Sequence, residues 1–214
     1  EALTRLSPRL LLSCNPNNPT GTRLAPEQII AMAASAPDTL VVVDELYAAF
    51  TGDSVLPLVD FMATPNLLVL QSLSKTAGLA ALRIGFAVGH AAVIDRVGRV
   101  TGPYDVNSVA VAAAFAALAD QSYVDAYVAE VLRARDWTVE ALQPAGVRHH
   151  CDGGNYLLIW PRQPVAEVDA ALRSESILIR SMAGKPLIDG CFRVSIGTTS
   201  QMQRFMEAYL RLDP

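Results

Sequence analysis

The sequence predicts an α/β fold, with a mostly parallel sheet flanked by helices, followed by a smaller carboxy-terminal α+β unit. Three observations predict it. In the first half, short apolar runs alternate with helical patterns, the rhythm of an α/β chain. Those runs are unbroken Leu, Val and Ile, as expected for strands covered on both faces by helices and lying centrally in a sheet. In the second half one long helical pattern gives way to shorter strand and helix signals.

The elements follow in order. A strand is expected over residues 9–13 and a helix over 26–35, where Pro26 at the first helical position loses only an orphan N–H and Glu27 suits the positive end of the dipole. Further strands are expected over 40–43, 67–71 and 84–88. An Ala-rich helix is expected over 107–118. From residue 122, Tyr123, Tyr127 and Val131, with Val124, Val128 and Leu132, recur at helical spacing as far as Leu142, ahead of Pro144 and Gly146. That helix is long enough to link two layers, so a boundary is placed near residue 121: residues 1–121 form a large domain, and residues 122–214 a linker helix and small domain. In the latter, strands are expected over 156–160, 177–180 and 192–196, with helices over 165–174 and 201–210. No internal repeat is found.

Composition narrows the function. The chain has 214 residues, enough to bury a core without disulfides, and 51% apolar with 18% charged residues excludes disorder. Seventeen Lys and Arg against 21 Asp and Glu give a net charge of -4 without a basic run, so nucleic acid is not an expected partner. Cys14, Cys151 and Cys191 are scattered without a C-x-x-C pair, which signals neither a disulfide framework nor a zinc site and suits a reducing cytoplasm. The longest apolar stretches are too short or too Ala-rich to span a membrane, and no export signal opens the chain. The sequence opens on Glu1 and reaches its first apolar run at Leu10, which raises the expectation that it continues a longer chain.

Three polar clusters stand just after expected strands, where open α/β sheets place their ligands. The stretch from Asn15 through Asn18-Pro19-Thr20 to Gly21 is, by composition alone, a turn. Asp44-Glu45-Leu46-Tyr47 offers a carboxylate and a phenol, although an acid at a strand end also serves as a helix cap. Ser72-Leu73-Ser74-Lys75, with Arg83 eight residues beyond the lysine, brings hydroxyls, an ammonium and a guanidinium that suit a phosphate ester. A solvated loop would explain that cluster alone, but it does not explain an amide, an acid with a phenol and a phosphate-type set at three successive strand ends.

Taken together, Asn18-Pro19-Thr20-Gly21, Asp44-x-x-Tyr47 and Ser72-x-Ser74-Lys75 with Arg83 resemble the fold-type I aminotransferases that use pyridoxal 5'-phosphate. Within that family, the stretches 78–86 and 193–198 resemble the histidinol-phosphate aminotransferase branch. The order and spacing agree across nearly the whole chain. The resemblance implies that Lys75 bonds to the cofactor aldehyde and later shuttles the substrate proton. It implies that Asp44 faces the pyridine nitrogen, that Tyr47 and Asn18 hydrogen-bond the ring 3'-oxygen, and that Ser72, Ser74 and Arg83 hold the phosphate. Arg193 is implied as the partner of an α-carboxylate and Arg180 as the grip on a substrate phosphate.

The reaction implied is transfer of an amino group from histidinol phosphate to 2-oxoglutarate in histidine biosynthesis, carried out by a homodimer. The threonine-phosphate decarboxylases resemble the chain in the same places and form one alternative; a catalytically impaired fragment of an aminotransferase is the other. Ala81 stands where the family more often has Gly, Leu46 where it often has Ala, and Thr199-Ser200-Gln201 where acidic residues are usual. Family members begin with a segment that supplies further phosphate-binding amides and a ring stacked on the pyridine. None of the residues from Glu1 on matches it, so the chain alone is expected to hold the cofactor weakly.

Overall fold

In the computed structural model, which describes residues 2–213, contacts divide the chain into two compact units. One comprises the residues up to Asn17 with Thr22–Asp125, the other Asn18–Gly21 with the residues from Ala126 on.

The first unit contains helix α1 (Ala2–Leu6), strand β1 (Leu10–Cys14), helix α2 (Pro26–Ala34), strands β2 (Leu40–Asp44), β3 (Leu67–Ser72) and β4 (Gly85–Gly89), and helices α3 (Ala91–Gly98) and α4 (Ser108–Ala119). The strands form one sheet in the order β1-β2-β3-β4, parallel except for the last pair. Val41, Val42 and Val43 of β2 are buried on both faces, as their continuous apolar run requires. Ile29 and Ala33 of α2 pack on Val41, Val43, Leu67 and Val69, and Ala110 and Ala114 of α4 pack on Leu73 and Ile84.

The expectation that all the apolar runs lie centrally fails at the two ends of this sheet. Leu10 and Leu12 of β1 and Phe86 and Val88 of β4, the two end strands, are exposed on faces that no helix covers. The helices α1 and α3 were not anticipated, since both are short.

Helix α5 (Gln121–Leu142) runs from the first unit into the second, which also holds strands β5 (Arg148–His150) and β6 (Tyr156–Trp160), helix α6 (Val165–Ser174), strands β7 (Arg180–Ser181) and β8 (Phe192–Ser195), and helix α7 (Thr199–Leu212). Its sheet is antiparallel in the order β5-β6-β8-β7. Val168 and Leu172 of α6 are buried, as are Met202, Phe205, Met206 and Tyr209 of α7. The rings of Phe192, Phe205 and Tyr209 meet at centroid distances of 5.7 to 6.4 Å.

The strand expected over 177–180 is corrected to the two residues Arg180 and Ser181. The Ile177 N–H is drawn back to the Leu172 carbonyl at the end of α6, and only Arg180 and Ser181 reach register with β8. The short β5 escaped sequence reading because Arg148, His149 and His150 carry no apolar alternation.

Candidate functional site

At one end of the first sheet, β2 and β3 finish side by side, with Asp44 in register with Leu70, and Leu70 and Ser72 in register with Ala87 and Gly85 of β4. Strand side chains alternate between faces, so Asp44 and Ser72 share a face. A cavity of about 500 Å³ opens there, lined by Asp44, Leu46, Ser72, Ser74, Lys75 and Arg83.

Local hydrogen bonds shape each group. Asp44 Oδ1 accepts from the Leu46 N–H at 3.0 Å, so the capping role weighed for this carboxylate is met by a turn inside the motif. Its Oδ2 lies 4.0 Å from Cys14 Sγ. Burial, and next the negative charge of Asp44, push the Cys14 thiol above its ordinary value. The sequence marks Cys14 only through compartment, but its register pairing with Asp44 puts it beside the site.

Ser72 Oγ accepts from the Ser74 N–H at 3.1 Å and lies 2.8 Å from Ser74 Oγ and 3.1 Å from the Ile84 carbonyl. Leu73 between them is buried against Ile84 and α4, which pins the loop that carries Lys75. Lys75 is half-buried, with its ammonium 6.0 Å from the centre of the buried Tyr47 ring. Arg83 adopts a left-handed backbone (φ 57°, ψ 43°) and its guanidinium donates to the Ala80 carbonyl at 2.9 Å. Among the described residues neither Lys75 nor Arg83 forms an ion pair. The cavity therefore carries two cations without a carboxylate partner, two hydroxyls and an acid.

The neighbouring Glu45 does something different. It is 3% exposed and accepts from Ser54 Oγ, the Val55 N–H and Gln71 Nε2, which makes it a buried structural acceptor. By residue type alone these adjacent acids are alike, and only the family resemblance singles out Asp44. Strand alternation separates them.

The second unit holds Asn18, Arg180 and Arg193. Asn18 Oδ1 accepts from Arg193 Nη1 at 2.5 Å, which orients the amide. Arg193 lies 5.3 Å from the Tyr156 ring centre, and its buried Nε has no hydrogen-bond partner among the described residues. It stands in register with the exposed Arg180 across β7 and β8. Like charges opposed on neighbouring strands repel, and an anion between them relieves that cost. Gly21, at the end of the Asn-Pro-Thr-Gly stretch, packs its backbone against Gly153, whose N–H donates to the Gly21 carbonyl at 2.9 Å. Asn15 was read as part of a turn, and it closes the base of that turn by pairing its amide with both backbone groups of Leu24. Among the described residues no group of three or more His, Cys, Asp and Glu could hold a metal ion, and no helix is long and apolar enough to cross a membrane.

The family model described as aminotransferase class I and II matches residues 1–208. Histidinol-phosphate aminotransferase 1 of Bordetella parapertussis is 38% identical over 202 residues, which cover 92% of this chain and 56% of that protein. The curated relatives are matched over 55% to 58% of their length, so the chain spans little more than half of each. The crystal structure of histidinol-phosphate aminotransferase from Sinorhizobium meliloti in complex with pyridoxal-5'-phosphate superimposes with a TM-score of 0.85 at 25% identity, over 99% of this chain and 59% of that one. The structure of L-threonine-O-3-phosphate decarboxylase from Porphyromonas gingivalis gives 0.81 at 27% identity, over 95% and 64%.

Proposed function

The chain belongs to the class I and II aminotransferases, and from that premise we propose that it serves a pyridoxal-phosphate-dependent transamination of the histidinol-phosphate type. In this reading an amino group passes from histidinol phosphate to 2-oxoglutarate. The observation that carries it is the cavity at the ends of β2 and β3. Two unpaired cations and two hydroxyls beside an acid fit a ligand with a phosphate at one end and a protonated ring nitrogen at the other.

When bound, pyridoxal 5'-phosphate supplies the electron sink for charge developing at the substrate Cα. Ser72, Ser74 and Arg83 hold its phosphate. Asp44 keeps a proton on the pyridine nitrogen, since a facing carboxylate favours the charged form. Tyr47 and Asn18 serve the ring 3'-oxygen. Lys75 removes the proton from the substrate Cα as a general base and returns it later as the acid. Arg193 binds a carboxylate through its planar fork, and Arg180 binds the distal phosphate. The buried unpartnered Nε of Arg193 supports its part in this division.

The protein has two lysines, Lys75 and Lys185, so the test is direct. Borohydride reduction in the presence of pyridoxal 5'-phosphate, followed by peptide mass analysis, should find the pyridoxyl group on Lys75. A label confined to Lys185 would sink the reading.

The likeness to the threonine-phosphate decarboxylase structure supports a second outcome from the same site. The bond that breaks is set by how the substrate is held, not by the residues that hold the cofactor. Carbon dioxide released from O-phosphothreonine without an oxo acid would favour decarboxylation. Glutamate formed from 2-oxoglutarate would favour transamination. Exposed Tyr104, Val109, Phe115 and Leu118 support a homodimer, which sedimentation would report as twice the chain mass. Three free cysteines support a reducing, cytoplasmic setting.

A further inference from the structure

Strand alternation at the end of the first sheet puts Asp44 and Ser72 on the cavity face and their neighbours Glu45 and Gln71 on the reverse. Beside the first cavity, and sharing Leu46, Gln71, Ser72 and Phe86 with it, lies a second, of about 310 Å³, lined also by Glu45, Ser54, Leu73 and Thr76. The Glu45 carboxylate is the polar hub of this second cavity. Oε1 accepts from the Val55 N–H at 2.7 Å, and Oε2 from Ser54 Oγ at 2.6 Å and Gln71 Nε2 at 3.1 Å. Its own N–H donates to the Leu70 carbonyl at 2.9 Å. A buried carboxylate is costly unless donors surround it, and as an acceptor-only group it gathers donors from separate segments.

We infer that Glu45 is a positioning residue whose bond to Gln71 sets the Asp44–Tyr47 turn against the Ser72–Lys75 loop. Each end of the bond is one residue from a cavity group: Asp44 precedes Glu45, and Ser72 follows Gln71. Ser72 in turn holds the Ser74 N–H, so a shift at Gln71 reaches the residue next to Lys75 through one peptide link and one hydrogen bond. The tie lies beside the groups assigned to the cofactor and is not one of them. Its functional consequence rests on the role proposed for Lys75. The mechanical consequence does not.

The test compares Glu45→Gln, Gln71→Ala, Ser54→Ala and the double variant Glu45→Gln/Gln71→Glu with the wild-type chain. Glu45→Gln removes the charge and one of the two acceptor oxygens from the bond to Gln71, and the double variant restores a charged carboxylate facing an amide donor. Gln71→Ala removes a single donor and keeps the test open if Glu45→Gln fails to fold. Ser54→Ala removes a donor from the same carboxylate without cutting the bond to β3.

Hydrogen exchange of the unliganded chain at residues 73–76 should rise about tenfold in Glu45→Gln and Gln71→Ala, the worth of one hydrogen bond to a charged group. It should return in the double variant and stay at the wild-type rate in Ser54→Ala. The pyridoxal 5'-phosphate concentration giving half-maximal borohydride labelling of Lys75 should move in parallel. Unchanged exchange in folded Gln71→Ala, or an equal rise in Ser54→Ala, overturns the tie. If the wild-type chain is not labelled at Lys75, the proposed function fails, and the tie still stands or falls on exchange.

Discussion

Replacing Gly21 by alanine tests the backbone contact that seats the Asn-Pro-Thr-Gly stretch in the second unit. Gly21 has φ +78°, and a Cβ there would lie 2.8 Å from the Gly153 carbonyl oxygen and 2.9 Å from its nitrogen. Gly190, in the same unit, has nearly the same φ of +76° with nothing within 4 Å of the added carbon. The two substitutions therefore share a conformational cost and differ in contact. The left-handed backbone costs an alanine about 1 kcal/mol, which is the expectation for Gly190→Ala. At position 21 the clash is with backbone, which cannot swing aside, so the Gly153 N–H bond to the Gly21 carbonyl is lost as well. Adding about 1 kcal/mol for that bond and about 1 kcal/mol for overpacking gives about 3 kcal/mol for Gly21→Ala. Urea unfolding, followed by a probe in the second unit such as Trp160 fluorescence, measures both from the shift in midpoint. Equal losses for the two variants would refute the reasoning, since the contact would then contribute nothing.

Glu130 offers a pH test. The Thr199 backbone N–H first, then Arg133 and the Thr199 hydroxyl, hold its carboxyl below the ordinary 4.5. A depressed folded value stabilises the protein above the unfolded pKa, and the contribution is lost as pH falls through the folded one. The thermal midpoint of wild type should thus exceed that of Glu130→Gln by a constant amount above pH 4.5 and by a shrinking amount below it; a gap independent of pH would count against this. For substrate, Arg180→Ala should raise the Kd for phosphorylated ligands by roughly tenfold or more while sparing glutamate, given the worth of charge-assisted hydrogen bonds. Calorimetry on both ligands checks this, and equal losses would deny Arg180 its separate role.

Much of the fold was legible because local chemistry writes it. The expected strand over 156–160 and helix over 165–174 coincide with β6 and α6, and Pro26 opens α2 as its missing N–H dictates. The helix α4 begins where Asn107 caps it through the Ala110 N–H. The strand expected over 177–180 failed because Ile177, Leu178 and Ile179 have strand propensity, yet pairing is decided by which backbone groups meet a partner, and those of Ile177 meet α6.

At the candidate site, residue types and spacing singled out Asp44, Tyr47, Ser72, Ser74, Lys75 and Arg83, and the fold gathers Asp44, Ser72, Ser74, Lys75 and Arg83 around one cavity, with Tyr47 beneath Lys75. Asn18, marked by its turn cluster, and Arg180 and Arg193, marked only by the family resemblance, stand in the second unit, where Arg193 orients Asn18 and opposes Arg180. What sequence alone determined was the set of strand ends and the chemistry they carry, because propensities, caps and motif spacings act over a few residues. Only tertiary structure decided that Asp44 faces the cavity while Glu45 is spent beside it, that Cys14 lies beside Asp44, and that Gln71 rather than a nearer residue completes Glu45. Those outcomes depend on register and face, and register is set between strands far apart in the chain, where no local signal reaches.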